Sequence, residues 1–109
     1  MFASTIKEID AHELAQWVDD AVENLRIIDV RQMQEIAMGT IAKAEALPLH
    51  TLPIKVNELS QSDKLVFICR SGARSAQACM FLQQNGFSNV YNLRGGMMGW
   101  MQSGLSVSR

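Results

Sequence analysis

With 109 residues, the chain can bury one real core and is too short for two independent ones, so residues 1–109 read as a single domain. Hydrophobic residues at 48% and charged residues at 19% give a globular balance rather than a disordered one. A net charge of −1 lacks the basic excess of a nucleic-acid binder. No apolar run approaches the roughly 18 residues that cross a bilayer, and the first ten residues lack the basic start and apolar stretch of a secretion signal. The expectation is therefore a cytoplasmic chain without membrane or nucleic-acid partners.

Short β-branched runs alternate with segments of helical period. Ile6 to Ile9 is a weak strand, followed by a helix over Ala11 to Glu23 in which Leu14, Trp17, Val18 and Val22 recur at helical spacing. Asp10 is placed to cap it. Arg26 to Val30 is a short buried strand, and Gln32 to Met38 a helical turn or two ended by Gly39. Ala46-Leu47 reads as a brief strand stopped by Pro48. Leu52 to Leu59 has the spacing of an amphipathic helix with Pro53 in its first turn. Lys64 to Ile68 is apolar enough to lie centrally in a parallel sheet. A helix over Ala73 to Asn85 is closed by Gly86. Asn89 to Leu93 is the last strand, and Gly95-Gly96 leads into a terminal helix over Met97 to Gln102. The alternation predicts an α/β fold, a mostly parallel central sheet of about five strands with helices on both faces. In such sheets the functional site lies beyond the carboxyl ends of the strands, which singles out the segment after Ile68.

That segment is Cys69-Arg70-Ser71-Gly72-Ala73-Arg74-Ser75, between strand and helix. A helix N-terminus leaves backbone N–H groups unpaired and carries partial positive charge. A tight loop folded around it aims those groups inward as an anion-binding nest, and Gly72 suits a positive φ there. Arg70 and Arg74 add charge that does not titrate away near neutral pH. A cysteine at this mouth has a lowered pKa and is both nucleophile and part of an anion site. Arg74, at the helix start, is placed to brace the loop; Arg70, next to the cysteine, is placed to meet substrate.

The loop resembles the active-site loop of single-domain rhodaneses. Asp29-Val30-Arg31, with Glu35, Gly39, Ile41, Ala44 and Pro48-Leu49, is similar to that family's first signature. Leu93-Arg94-Gly95-Gly96 with Gly99-Trp100 is similar to its C-terminal one. The chain departs at Thr40-Ile41-Ala42-Lys43, where the family more often has His-Ile-Pro-Gly; this reads as a surface-turn variation remote from the chemistry. The resemblance implies a rhodanese-like fold and a sulfurtransferase in which the Cys69 thiolate takes the outer sulfur of a donor such as thiosulfate. The persulfide would lie among the backbone N–H groups of Arg70 to Ser75. A thiol, cyanide or a sulfur-acceptor or sulfur-carrier protein would then take the sulfur, with no metal or organic cofactor.

Other residues read as supports. Asp29 and Arg31 are expected to pair with one another or with Glu35 and hold the nearby loops. Cys79 lies about 10 Å of helical rise beyond Gly72, directed away from the loop, and is expected to fill core space facing the sheet. His12 and His50 stand alone and read as surface or capping residues. Met97, Met98 and Met101 surround Trp100 and suit adaptable contacts with a sulfur-accepting partner. Three rival functions are weaker. A phosphatase or arsenate reductase of this fold has five residues between cysteine and arginine, whereas four separate Cys69 from Arg74. A non-catalytic binding module of this fold usually lacks the cysteine. Thiol–disulfide exchange lacks a second cysteine close to Cys69.

Overall fold

The computed structural model describes residues 6–109; residues 1–5, half of the segment read for a leader, lie outside the described residues. The elements run β1 (Lys7–Ile9), α1 (Ala11–Asp19), β2 (Leu25–Asp29), α2 (Met33–Ala37), β3 (Glu45–Ala46), α3 (Leu52–Lys55), β4 (Lys64–Ile68), α4 (Ala73–Gln84), β5 (Val90–Leu93) and α5 (Gly96–Gln102). Among the described residues the strands form one parallel sheet in the order β1-β5-β4-β2-β3.

Strand β4 is central because its apolar residues serve both faces. Leu65 and Phe67 join the cluster formed with α4 and α3, including Ala78, Cys79, Leu82 and Leu52. Val66 and Ile68 point the other way, toward Leu14 of α1 and Met97 and Trp100 of α5. All four of these β4 side chains are fully buried, each contributing ~1.5–3 kcal/mol if taken wholly out of water. With β5 on one side of β4 and β2 on the other, the segment leaving Ile68 emerges at the middle of the sheet's carboxyl edge.

Local chemistry explains the element ends. Asp10 caps α1 as expected: its Oδ1 accepts from the Glu13 N–H at 2.8 Å and Glu13 Oε1 accepts from the Asp10 N–H at 3.0 Å. The helix stops at Asp19 rather than reaching Glu23, because the chain turns back into β2 through left-handed Ala21 (φ 50°) and Asn24 (φ 63°). The helix expected over Leu52 to Leu59 is α only to Lys55; Val56–Glu58 tightens into a 3₁₀ turn that delivers Leu59 to the core.

The Thr40 departure is more than a surface turn. Thr40 Oγ1 donates to Asp29 Oδ2 at 2.7 Å, its backbone pairs with Ser108, and Ile41 is buried. Lys43 holds φ 71° where the family more often has glycine.

Candidate active site

Cys69 follows β4 directly, and its side chain is buried beneath the loop that enters α4. Gly72, at φ 105°, turns the chain into the helix, and α4 has no side-chain cap of its own. The sulfur takes that place. Cys69 Sγ accepts from the Gly72 N–H at 3.1 Å and from the Ser75 N–H at 3.4 Å, as an aspartate oxygen does for α1. The Ser75 hydroxyl lies 3.4 Å from the same sulfur. Burial alone would raise the thiol's pKa; hydrogen bonds from Ser75, Gly72 and the Ser71 N–H outweigh it, so the Cys69 thiol lies below its ordinary value.

A second element holds the loop from outside. The Met97 N–H at the start of α5 donates to the Cys69 carbonyl at 2.8 Å, and the Met98 N–H donates to the Arg70 carbonyl at 3.0 Å. Both carbonyls are thereby turned toward α5, which leaves the loop's N–H groups free to face the sulfur. Gly96 makes this approach possible: a Cβ there would lie 2.5 Å from the Cys69 carbonyl oxygen and 2.6 Å from Arg70 backbone atoms. The sequence carries the signal in Gly95-Gly96, as a helix start and as part of the C-terminal signature, but neither shows the contact with the Cys69 loop.

The supporting residues divide into two pairs. Asp29, fully buried, accepts from Arg31 Nε and Nη2, and the Arg31 Nη2 also donates to the Gly39 carbonyl at 2.7 Å. Glu35 pairs instead with Arg74, two-pronged at 2.7 and 3.0 Å. The bonds from Arg74 hold the Glu35 carboxyl at about 2, against the opposing effect of burial. Arg74 therefore braces the loop against α2. Arg70 is exposed, and its side chain makes no hydrogen bond or ion pair among the described residues. Ser71 and Ala73 are exposed as well, on the outer side of the loop.

Asn92 of β5 is a site neighbour that no motif pointed to. It is buried; its Nδ2 donates to the Gly72 carbonyl at 3.2 Å and to Glu8 Oε2 at 3.0 Å, while its Oδ1 accepts from the Ser75 hydroxyl.

The methionines separate. Met97 is 2% exposed and packs into the core, whereas Met98 and Met101 are open to solvent. All three line a cleft of about 270 Å³ with Met38, Arg31, Glu35 and Arg70, beside the loop, Met97 from its buried side. Cys79 is buried against the sheet and pushed up to about 12 by burial, so it is an inert thiol. His12 and His50 are exposed, and His50 borders a separate hollow with Gln32 and Arg74. No metal-holding cluster occurs among the described residues, and no helix of the described residues is long and apolar enough to cross a membrane.

The family comparison agrees with this geometry. The chain is 43% identical over 102 residues to a "Sulfurtransferase" of Allochromatium vinosum, covering 94% of each. It is 37% identical over 98 residues to the "Putative sulfur carrier protein YrkF" of Bacillus subtilis, covering 90% of this chain and 52% of that one. A rhodanese-related protein from Thermoplasma volcanium superposes with a TM-score of 0.85 at 31% identity, over 94% of this chain and 97% of the other. The rhodanese-like domain model matches residues 10–103, and the chain belongs to that family.

Proposed function

We propose that this protein is a sulfurtransferase that carries sulfane sulfur as a persulfide on Cys69. The observation that carries the proposal is the convergence of the Gly72 and Ser75 N–H groups on a buried thiol whose pKa is lowered. Family membership and the sulfurtransferase name of a close relative support sulfur transfer in general.

In the first half-reaction the Cys69 thiolate attacks the outer sulfur of thiosulfate. A bond forms between the two sulfurs, the donor's S–S bond breaks, and sulfite leaves with the electron pair. Arg70, exposed at the loop mouth, would meet the anionic donor. The terminal persulfide sulfur carries the negative charge into the cradle of N–H groups from Arg70 to Ser75. In the second half-reaction cyanide or an acceptor thiolate attacks that sulfur and the Cys69 thiolate leaves. No general acid is required, in keeping with the engagement of Asp29 by Arg31 and of Glu35 by Arg74. Those engagements, with four residues between Cys69 and Arg74, disfavour phosphoryl transfer, which needs a carboxylic acid free to protonate a leaving oxygen.

A protein acceptor fits the cleft of Met38, Met98 and Met101, whose flexible thioethers adapt to varied surfaces. The likeness to a protein named as a sulfur carrier supports an acceptor of that kind. One set of assays tests both levels. Thiocyanate formation from thiosulfate and cyanide is expected in the native protein and absent in Cys69→Ser. Met98→Glu is expected to slow transfer to a thiol-bearing protein while sparing transfer to cyanide. Thiocyanate formation surviving in Cys69→Ser would overturn the carrier role, and equal loss with both acceptors would overturn the docking role of Met98.

A further inference from the structure

The Ser75 hydroxyl has two acceptors and one proton. Its oxygen lies 3.4 Å from Cys69 Sγ and within bonding distance of Asn92 Oδ1. The orientation of the Asn92 amide is fixed by its other neighbours. The Gly72 carbonyl and the Glu8 carboxylate can only accept, so Nδ2 must face them and Oδ1 must face Ser75. An amide oxygen cannot donate; the Ser75–Asn92 bond therefore uses the Ser75 proton. A thiolate at Cys69 also accepts only, and the hydroxyl cannot serve both at once.

We propose that Asn92 is a positioning residue that competes with Cys69 for the single Ser75 proton and so keeps the resting sulfur less stabilised and more nucleophilic. The backbone N–H groups of Gly72 and Ser75 point at the sulfur whatever Asn92 does, so they set a fixed level of stabilisation. The hydroxyl is the adjustable donor. A thiolate that receives fewer hydrogen bonds is less abundant at low pH but attacks faster once formed, because nucleophilicity rises with basicity.

The other charges around the sulfur are Arg70 on its own loop, Arg74 on α4 tied to Glu35 of α2, Asp29 with Arg31 after β2, and Glu8 of β1 behind Asn92. Asn92→Leu leaves each of these charges in place and frees only the Glu8 carboxylate from the Asn92 amide; it keeps the branched side-chain shape with a larger volume and removes the competing oxygen. The substitution leaves few orphans. The Gly72 carbonyl keeps the Ala76 N–H at 3.1 Å, Glu8 is solvent-exposed, and the freed Ser75 hydroxyl has the sulfur to turn to.

The test is the pH profile of Cys69 alkylation, read by mass-localised labelling so that Cys79 is scored separately. It needs no sulfur donor, so it stands apart from whether the protein transfers sulfur. In Asn92→Leu the midpoint is expected to move to lower pH and the plateau rate to fall, about threefold for each tenfold gain in acidity. Both changes are expected to vanish when Ser75→Ala is added. Ser75→Ala alone is expected to raise the midpoint, and by less than it does in the Asn92→Leu background, because the native hydroxyl divides its proton between the sulfur and Asn92. An Asn92→Leu midpoint that stays or rises, or a fall that persists without Ser75, would overturn the proposal. If Asn92→Leu does not fold, Asn92→Ala, which also removes the competing oxygen, decides: a lower midpoint that requires Ser75 upholds the proposal, and an unchanged or higher one overturns it.

Discussion

Arg70 and Arg74 are the same residue type four positions apart, yet the structure gives them different work. Arg74 is committed to Glu35 by two bonds, while the Arg70 side chain is exposed and makes none among the described residues. Position relative to the helix start made that division legible in the sequence: a residue inside the first turn can fold back on a neighbour, and one beside the cysteine cannot. For Arg70→Ala the loss of a charge-assisted bond to an anionic donor, worth about 1.5–3 kcal/mol, predicts a KM for thiosulfate raised about 10- to 150-fold. Thermal stability should be unchanged, since the side chain supports nothing else. Steady-state kinetics and a melting curve together check this; a large drop in melting temperature would make Arg70 a structural residue instead.

At the scale of elements, the junction between β4 and α4 was readable because its chemistry is local: an apolar strand, a cysteine, a glycine and a helix that starts without a side-chain cap. What α5 does for that junction was not readable. The bonds from the Met97 and Met98 N–H groups to the Cys69 and Arg70 carbonyls span almost thirty residues of sequence, and only the fold brings them together. The same holds for Asn92, a polar residue in an otherwise apolar strand whose partners come from two other segments, Glu8 from β1 and Gly72 and Ser75 from the start of α4. Gly96→Ala tests the α5 clamp. The added methyl overlaps the backbone of Cys69 and Arg70, so the loop must shift; displacements of this size at a reacting group cost on the order of 100-fold in rate. Sulfur-transfer kinetics on the purified variant would show it, and near-native rates would mean the clamp is dispensable.

The α2 brace makes a pH prediction with a definite sign. Glu35 is held at about 2 in the folded chain, by Arg74 first and with help from the Gln32 N–H and the nearby arginines, against an ordinary value of 4.5. A depressed carboxyl contributes stability that is present above 4.5 and is lost as pH falls toward about 2. Denaturant unfolding at a series of pH values should therefore show a falling stability in that window, and Glu35→Gln should flatten the part due to this pair. Because the pair is about one-third exposed, solvent screens it and the effect is modest.

Across the whole molecule, stability and chemistry occupy opposite ends of the sheet. Arg26, near the start of β2, bonds Glu45 two-pronged at 2.8 and 2.9 Å, reaches Asp63 at 3.4 Å and the Glu58 carbonyl at 3.1 Å, and ties three segments together far from Cys69 along the strand. The carboxyl edge gathers the Cys69 loop, the Asp29–Arg31 pair, the Glu35–Arg74 pair and the methionine cleft. The parallel sheet and its two apolar layers were legible from the period of the sequence, since each is written in consecutive residues. The strand order was not, because it depends on which edges pair after crossover. A persulfide on Cys69 adds a definite mass to the intact chain. After brief exposure to thiosulfate or glutathione persulfide the chain is expected to gain one sulfur atom, about 32 Da, reversed by cyanide and absent in Cys69→Ser. No gain with either donor, or a gain that persists in Cys69→Ser, would contradict the carrier role of Cys69.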